Sequence, residues 1–277
     1  MGGRGFVKGL WAVALSAALM SASGAETDTD RTAWMLQTNL LERTKTAVSA
    51  DLPNLLVLGD SISMGYTPFV KRRLAGVANV SRPACNCRAT QTYLASRGGM
   101  TAWVGTNHWD VITVNAGIWD ICYMKGNPLG TDHYWGADAE LGKLPPLQRG
   151  TAIRARGFHV RTPILEYQAN LRKILAYLKS TGATVIFALT TPVPAYENDD
   201  RCGLFRVYNE IAVGVCAELG VRTVDLYAVA ERNYDKIKDR CHFNDAGNDL
   251  LAETLVTAVT DALNDCKQRK NEQEAKR

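Results

Sequence analysis

Ser61, Asp239 and His242 are the residues whose types and spacing carry chemistry. Ser61 stands in Gly59-Asp60-Ser61-Ile62-Ser63, directly after the apolar run Asn54-Leu55-Leu56-Val57-Leu58. Such a run reads as a buried strand, and a glycine at its end frees the backbone to turn, so the serine is expected exposed at a strand terminus. Far downstream, Asp239-Arg240-Cys241-His242 spaces a carboxylate and an imidazole so that they can meet on one side of a tight turn. A serine hydroxyl is a weak nucleophile until a base takes its proton. The base in turn needs a carboxylate to fix its tautomer and stabilise the cation that forms. The three residues are the parts of a nucleophilic triad, in chain order Ser61, Asp239, His242. The G-x-S-x-G turn of the α/β-hydrolases is absent, because Ser63 occupies the position of its second glycine and no other serine fits. A different serine-hydrolase architecture is required.

That architecture is legible in the periodicity. Short β-rich apolar runs, Leu55 to Leu58, Val77 to Ser81, Val111 to Asn115, Thr184 to Leu189 and Arg222 to Asp225, alternate with segments of helical period. Ile164, Leu165, Leu171, Ile174, Leu175 and Leu178 recur at helical spacing before Gly182, and Tyr208, Ile211, Ala212, Val215 and Leu219 do so before Gly220. Asn244-Asp245 opens a last helix with Leu250, Leu251, Leu255, Val256 and Val259 on its apolar face. The alternation predicts a three-layer α/β/α sandwich around a parallel five-stranded sheet, flavodoxin-like in its layering. Ligands of such sheets bind beyond the carboxyl ends of the strands, where Ser61, residues 115–120, residues 190–196 and the His242 loop are expected to converge. The stretch 123–160 reads as a long irregular insertion leaving that rim. Its His133, Tyr134 and Trp135, with Arg149, Arg154 and Arg156, predict a lid or substrate wall suited to sugar rings or acyl chains.

The rest of the chain bounds the context. Its 277 residues, 46% of them apolar, can bury one sizeable core. Arg4 and Lys8, the apolar stretch from Gly9 to Met20, and Ser23-Gly24-Ala25 make residues 1–25 read as a cleavable signal peptide. The apolar stretch is well short of the roughly 20 residues that cross a bilayer, so stable membrane insertion is not expected. Residues 26–53 form a lead-in, 54–264 the catalytic domain with its insertion 123–160, and 265–277 a polar tail expected to fray. Loss of residues 1–25 takes the formal charge from +4 to +2, with 30 basic against 28 acidic residues, which argues against a nucleic-acid partner. Lys71-Arg72-Arg73 reads as a solvated helix face. Seven cysteines follow residue 25, and in a secreted or periplasmic protein some are expected to pair as disulfides, the odd count leaving at least one over; Cys216 reads as a buried thiol. The Cys85-x-Cys87 spacing is wrong for the usual zinc sites, so no metal is expected, and the triad needs no cofactor. His108, His133 and His159 lack catalytic context.

The same motifs place the chain beside a known family. Gly59-Asp60-Ser61-Ile62-Ser63 resembles the first block of the SGNH (GDSL) hydrolases, and Asp239-x-x-His242 their last. Between these, Gly65-Tyr66-Thr67-Pro68, Arg82-Pro83, Asn86-Cys87, Trp109-Asp110-Val111-Ile112, Asn115-Ala116-Gly117-Ile118-Trp119-Asp120, Thr190-Thr191-Pro192-Val193-Pro194 and Tyr208-Asn209 resemble a bacterial-type branch, so the likeness covers residues 54–262. It implies an ester hydrolase acting through an acyl-enzyme on O-acyl esters of small molecules or glycans. The family donates to the oxyanion from a second-block glycine and a third-block asparagine. Here Trp119 stands where that asparagine is expected and Asn86-Cys87-Arg88-Ala89-Thr90 has no glycine. Asn86, after the second strand, is therefore the candidate oxyanion donor beside the Ser61 N–H, with Gly117, Trp119 and Asp120 on the substrate side. Trp119 is expected to line the pocket, while Asp60 and Asp120 hold their loops through backbone N–H groups. Two other readings use the same residues: an O-acyltransferase with the same triad, and a non-catalytic binding module whose oxyanion hole has degraded.

Overall fold

The computed structural model describes residues 49–127, 133–134, 139–194 and 201–275. The leader reading of residues 1–25, most of the lead-in, Trp135 and residues 195–200 lie outside the described residues. Strand β1 (Asn54–Leu58) leads into helix α1 (Ser61–Arg73), then β2 (Asn79–Ser81), the short helices α2 (Thr90–Tyr93) and α3 (Met100–Val104), β3 (Val111–Val114) and α4 (Ile118–Ile121). An inserted unit follows, with β4 (Tyr123–Met124), β5 (His133–Tyr134), α5 (Ala139–Gly142), α6 (Pro146–Ala155) and β6 (His159–Val160). The chain then builds α7 (Ile164–Ser180), β7 (Thr184–Ala188), α8 (Leu204–Leu219), β8 (Arg222–Val224), α9 (Leu226–Glu231) and α10 (Asp245–Glu274).

The main sheet has the order β2-β1-β3-β7-β8 with every pairing parallel, as the apolar runs predict. Burial on both faces explains why β1, β3 and β7 read as unbroken apolar runs. From β1 the chain moves outward to β2, returns to the other side of β1 at β3, and continues through β7 to β8. Right-handed crossovers then set α1 on one face and α7 and α8 on the other. Helix α10 packs against α1 and completes the first face. The reversal at β1 and β3 opens a crevice at their carboxyl ends. Gly220 ends α8 with φ 61°, a left-handed conformation that suits glycine.

Several expectations need correction. Strand β2 starts at Asn79 instead of Val77, because the N–H groups of Val77 and Ala78 both turn back to the Leu74 carbonyl at the end of α1. The described residues of 123–160 are not structureless: β5-β4-β6 form an antiparallel sheet, and Tyr123, Leu141 and Ile153 bury a small core of their own. The polar C-terminal segment does not fray at Cys266, since α10 continues to Glu274 through the good helix formers Lys, Gln, Arg and Glu, with Arg269 donating to Thr184 Oγ1 at 2.9 Å. No disulfide joins any of the cysteines, contrary to the pairing expected for an exported chain; Cys87, Cys122, Cys216 and Cys241 are each buried. Burial pushes the Cys216 thiol up to about 12, in keeping with a packed, inert thiol. Lys71-Arg72-Arg73 is the last turn of α1, where Arg73 pairs with Asp249 of α10 at 2.8 Å. No described helix is long and apolar enough to cross a membrane.

Candidate active site

Ser61 is the first residue of α1, placed there by a local cap. Asp60 is extended at the N-cap and its Oδ1 accepts from the Ile62 N–H at 2.9 Å, while the Ser63 hydroxyl donates to the Asp60 carbonyl at 2.7 Å. Gly59 is expected from the sequence to free the backbone to turn, but it is not among the glycines of positive φ. It is required by close approach: a Cβ there would stand 2.8 Å from both Cβ and Oγ of Ser63. The result leaves the Ser61 hydroxyl at the crevice and its N–H facing out of the first turn, where helix amides have no intrahelical acceptor.

The downstream pair meets it. His242 Nε2 lies 2.8 Å from Ser61 Oγ, and His242 Nδ1 lies 2.9 Å from Asp239 Oδ2 and 3.1 Å from its Oδ1. Asp239 is itself held by the N–H groups of Cys241 and His242, both at 2.9 Å from Oδ1, so the four-residue turn is tied by its own carboxylate. Burial works to raise the Asp239 carboxyl, but these N–H groups and the imidazole together outweigh it and hold the group down at about 2. A carboxylate so placed orients the ring with Nδ1–H toward Asp239, leaving Nε2 as the acceptor for the serine proton. Asp239, Cys241 and His242 also bring one ligand atom each within 4.8 Å, but Nδ1 is committed to the carboxylate and burial pushes the Cys241 thiol up to about 12, which makes it a poor metal ligand.

The opposite wall of the cleft comes from the loops after β2 and β3. Asn86 is half-buried and accepts from the Arg88 N–H through Oδ1 at 2.9 Å, so its NH2 end is the one left to donate. Arg88 adopts φ 53°, the one positive value at a described non-glycine residue, and this backbone turn is what brings its N–H to Asn86. Trp119 lines the same cleft as Asp239, and the guanidinium groups of Arg88 and Arg161 lie over its ring, 5.4 and 5.5 Å from the centroid.

The structure thus brings Ser61, Asp239, His242, Asn86 and Trp119 together around one cleft. It does not bring Gly117 and Asp120 there. Gly117 lies against Thr190, where a Cβ would meet the threonine Cγ2 at 2.6 Å. Asp120 is fully buried and accepts from the Thr90 hydroxyl at 2.7 Å and the Thr90 N–H at 3.1 Å, anchoring the third-block loop to α2. The same loop is held by Tyr93 donating to the Asn115 carbonyl, Tyr167 to that of Ala116, and Asn115 Nδ2 to that of Ala188. The loop after β7 also serves as a buttress, with Thr190 bonded twice to Asn209. None of the described residues of 123–160 lines the cleft, so the expected lid is not found among the described residues. His108 and His159 are exposed and remote from it. Among the lining residues that the sequence reading missed, Lys238, Arg240 and Cys241 stand inside or beside the Asp239-x-x-His242 spacing, whose intervening positions carry no periodic or motif signal of their own.

Comparison with known proteins places the chain in a family and a fold. A family model described as GDSL-like Lipase/Acylhydrolase matches residues 57–250. GDSL esterase/lipase WDL1 of Oryza sativa subsp. japonica is 24% identical over 131 residues, 40% of this chain and 49% of that protein. GDSL esterase/lipase CPRD49 of Arabidopsis thaliana is 24% identical over 131 residues, 40% of this chain and 50% of that protein. The chain spans about half the length of the curated relatives it matches. Among solved structures, the lipase/acylhydrolase from Enterococcus faecalis superposes with a TM-score of 0.54 at 17% identity, covering 75% of this chain and 95% of that one. The acetylxylan esterase Axe2 from Geobacillus stearothermophilus does so with a TM-score of 0.51 at 17% identity, covering 76% and 94%. At these identities the structures establish a common α/β/α fold.

Proposed function

Because the chain belongs to the GDSL-like lipase/acylhydrolase family, we propose that it is an exported serine ester hydrolase acting through an acyl-enzyme, with acylated carbohydrate as the first substrate class to test. The observation that carries this reading is the unbroken line from Ser61 Oγ to His242 Nε2 at 2.8 Å and from His242 Nδ1 to Asp239 Oδ2 at 2.9 Å. Ser61 Oγ attacks the ester carbonyl as His242 takes its proton. The carbonyl oxygen becomes an oxyanion that receives hydrogen bonds from the Ser61 N–H and the Asn86 amide. When the ester C–O bond breaks, His242 returns the proton to the departing alcohol. A water then gives its proton to His242 and cleaves the acyl-serine, restoring the enzyme. Asp239 stays ionised throughout and stabilises the imidazolium formed at each transfer. The carbohydrate class is supported by the acetylxylan esterase among the structural neighbours, and export by the basic-then-apolar pattern of residues 4–25.

The test is labelling by a serine-directed fluorophosphonate together with hydrolysis of short acyl esters. Wild-type protein labels and turns over; Ser61→Ala does neither while keeping its circular dichroism spectrum and melting temperature. Unchanged turnover in Ser61→Ala sinks the reading.

A further inference from the structure

The cleft at the nucleophile has two arms that share Ser61 and His242. The smaller, about 280 Å³, is walled by Ile62, Met64 and Phe243, with Gly65, Lys238 and Asn248 beside them. The larger, about 450 Å³, is walled by Asn86, Trp119, Asp239, Arg240 and Cys241. The Ile62, Met64 and Phe243 side of the smaller arm suits a short acyl group, which leaves the larger arm for the alcohol half of the ester.

The charge of that larger arm is unbalanced. Arg240 is exposed there and its side chain has no carboxylate partner among the described residues, whereas Arg73, Arg172, Arg206 and Arg222 are each paired with one. The nearest carboxylate in sequence, Asp239, is already engaged by His242 Nδ1 and two N–H groups. The guanidinium groups of Arg88 and Arg161 stand against the Trp119 ring and add to the positive potential. Asp239 lines the same arm, but its carboxylate is taken up by the imidazole and two N–H groups, so the guanidinium of Arg240 is the charge left there to meet a ligand of opposite sign.

We propose that Arg240 is a specificity-determining residue: it binds an anionic group, a carboxylate or a phosphate, on the alcohol half of the substrate, so that the enzyme prefers anionic to neutral esters. This rests on the hydrolase reading above. A planar guanidinium binds either anion through paired N–H donors, which a lysine does not reproduce.

The experiment measures kcat/KM for meta-acetoxybenzamide, meta-acetoxybenzoate and meta-acetoxyphenyl phosphate in wild type, Arg240→Gln and Lys238→Gln. In wild type the ratio of an anionic to the neutral ester is expected to be about tenfold, the worth of one charge-assisted contact at a partly solvated site, and to shrink at high salt. In Arg240→Gln the ratio falls to near one, with the loss in KM; in Lys238→Gln it persists. Because each ratio is taken within one protein, a lower folded fraction cancels. Whichever anion gives the larger ratio identifies the group. A wild-type ratio near one, a ratio unmoved by Arg240→Gln, or one abolished by Lys238→Gln overturns the proposal. If wild type hydrolyses none of the esters and Ser61 does not label, the hydrolase reading fails and this proposal falls with it.

Discussion

At the residue scale, the proposed chemistry divides unequally among its parts. Ser61 and His242 act as a unit, so His242→Ala is expected to lower kcat by about a millionfold, as far as Ser61→Ala, whereas Asp239→Asn leaves a residue of activity, with a loss of about ten-thousandfold. Steady-state kinetics on one activated ester decides this; equal losses at Asp239 and His242 would count against the carboxylate as an orienting group. The oxyanion donor can be assigned in the same way. Asn86→Ala is expected to lower kcat by about 100- to 1000-fold with little change in KM, since Asn86 lines the cleft and its Oδ1 is tied to the Arg88 N–H, leaving the NH2 end to donate. Trp119→Phe, which removes only the indole N–H, is expected to cost less than about tenfold. Reversed results would make the indole the donor.

At the element scale, the nucleophile turn depends on contacts between neighbouring elements more than on backbone freedom. The residue after β1 must be small because α1 begins immediately behind it, and the Gly59 carbonyl accepts from the Cys87 N–H at 3.1 Å, joining the nucleophile turn to the Asn86 loop. Gly59→Ala forces a Cβ to within 2.8 Å of Ser63, so it is expected to lose about 1–3 kcal/mol in urea denaturation, as overpacked cores do, and to lower kcat by displacing Ser61 and Asn86 together. Wild-type stability in that variant would show that α1 shifts freely, contrary to its packing against α10. The same interdependence explains why the structure of the insertion is not legible in its periodicity. Its strands are two residues each, too short for periodicity to register, and they exist because Tyr123, Leu141 and Ile153 find each other in space.

At the scale of the whole molecule, two buried carboxyls set the response to acid. Burial raises Asp60 and Asp120 to about 6 despite the N–H groups they accept from, and Asp60 Oδ2 has no partner among the described residues. In the unfolded chain they ionise near the ordinary value of about 3.9. A raised folded value means their stabilising contribution is complete below the unfolded value and is lost as pH rises through about 6. The lowered Asp239 acts in the opposite sense, its contribution present above about 3.9 and lost as pH falls toward about 2, below this window. The melting temperature of wild type relative to the Asp60→Asn, Asp120→Asn double variant is therefore expected to fall between pH 4 and 6. Calorimetry across that range checks it, and a difference that grows with pH contradicts it.

The sequence by itself determined the sheet and its layers, and it pointed to the three residues that the fold brings together as the proposed triad. Buried parallel strands must be apolar on both faces, and helices that cover them must repeat at helical spacing, so β1, β3, β7, α7 and α8 are written locally. Ser61 and the Asp239-His242 turn are legible for the same reason, since each is fixed within a few residues. What only the tertiary structure decided lies between such segments. Gly117 and Asp120 stand in the same short block as Trp119, yet packing against Thr190 and Thr90 draws them behind the cleft while the indole faces it. Arg240 reads in sequence as a spacer between a carboxylate and an imidazole. It becomes part of the cleft wall because the turn that joins Asp239 to His242 folds against the end of β1, and which way a turn presents its side chains is settled by the surface it meets.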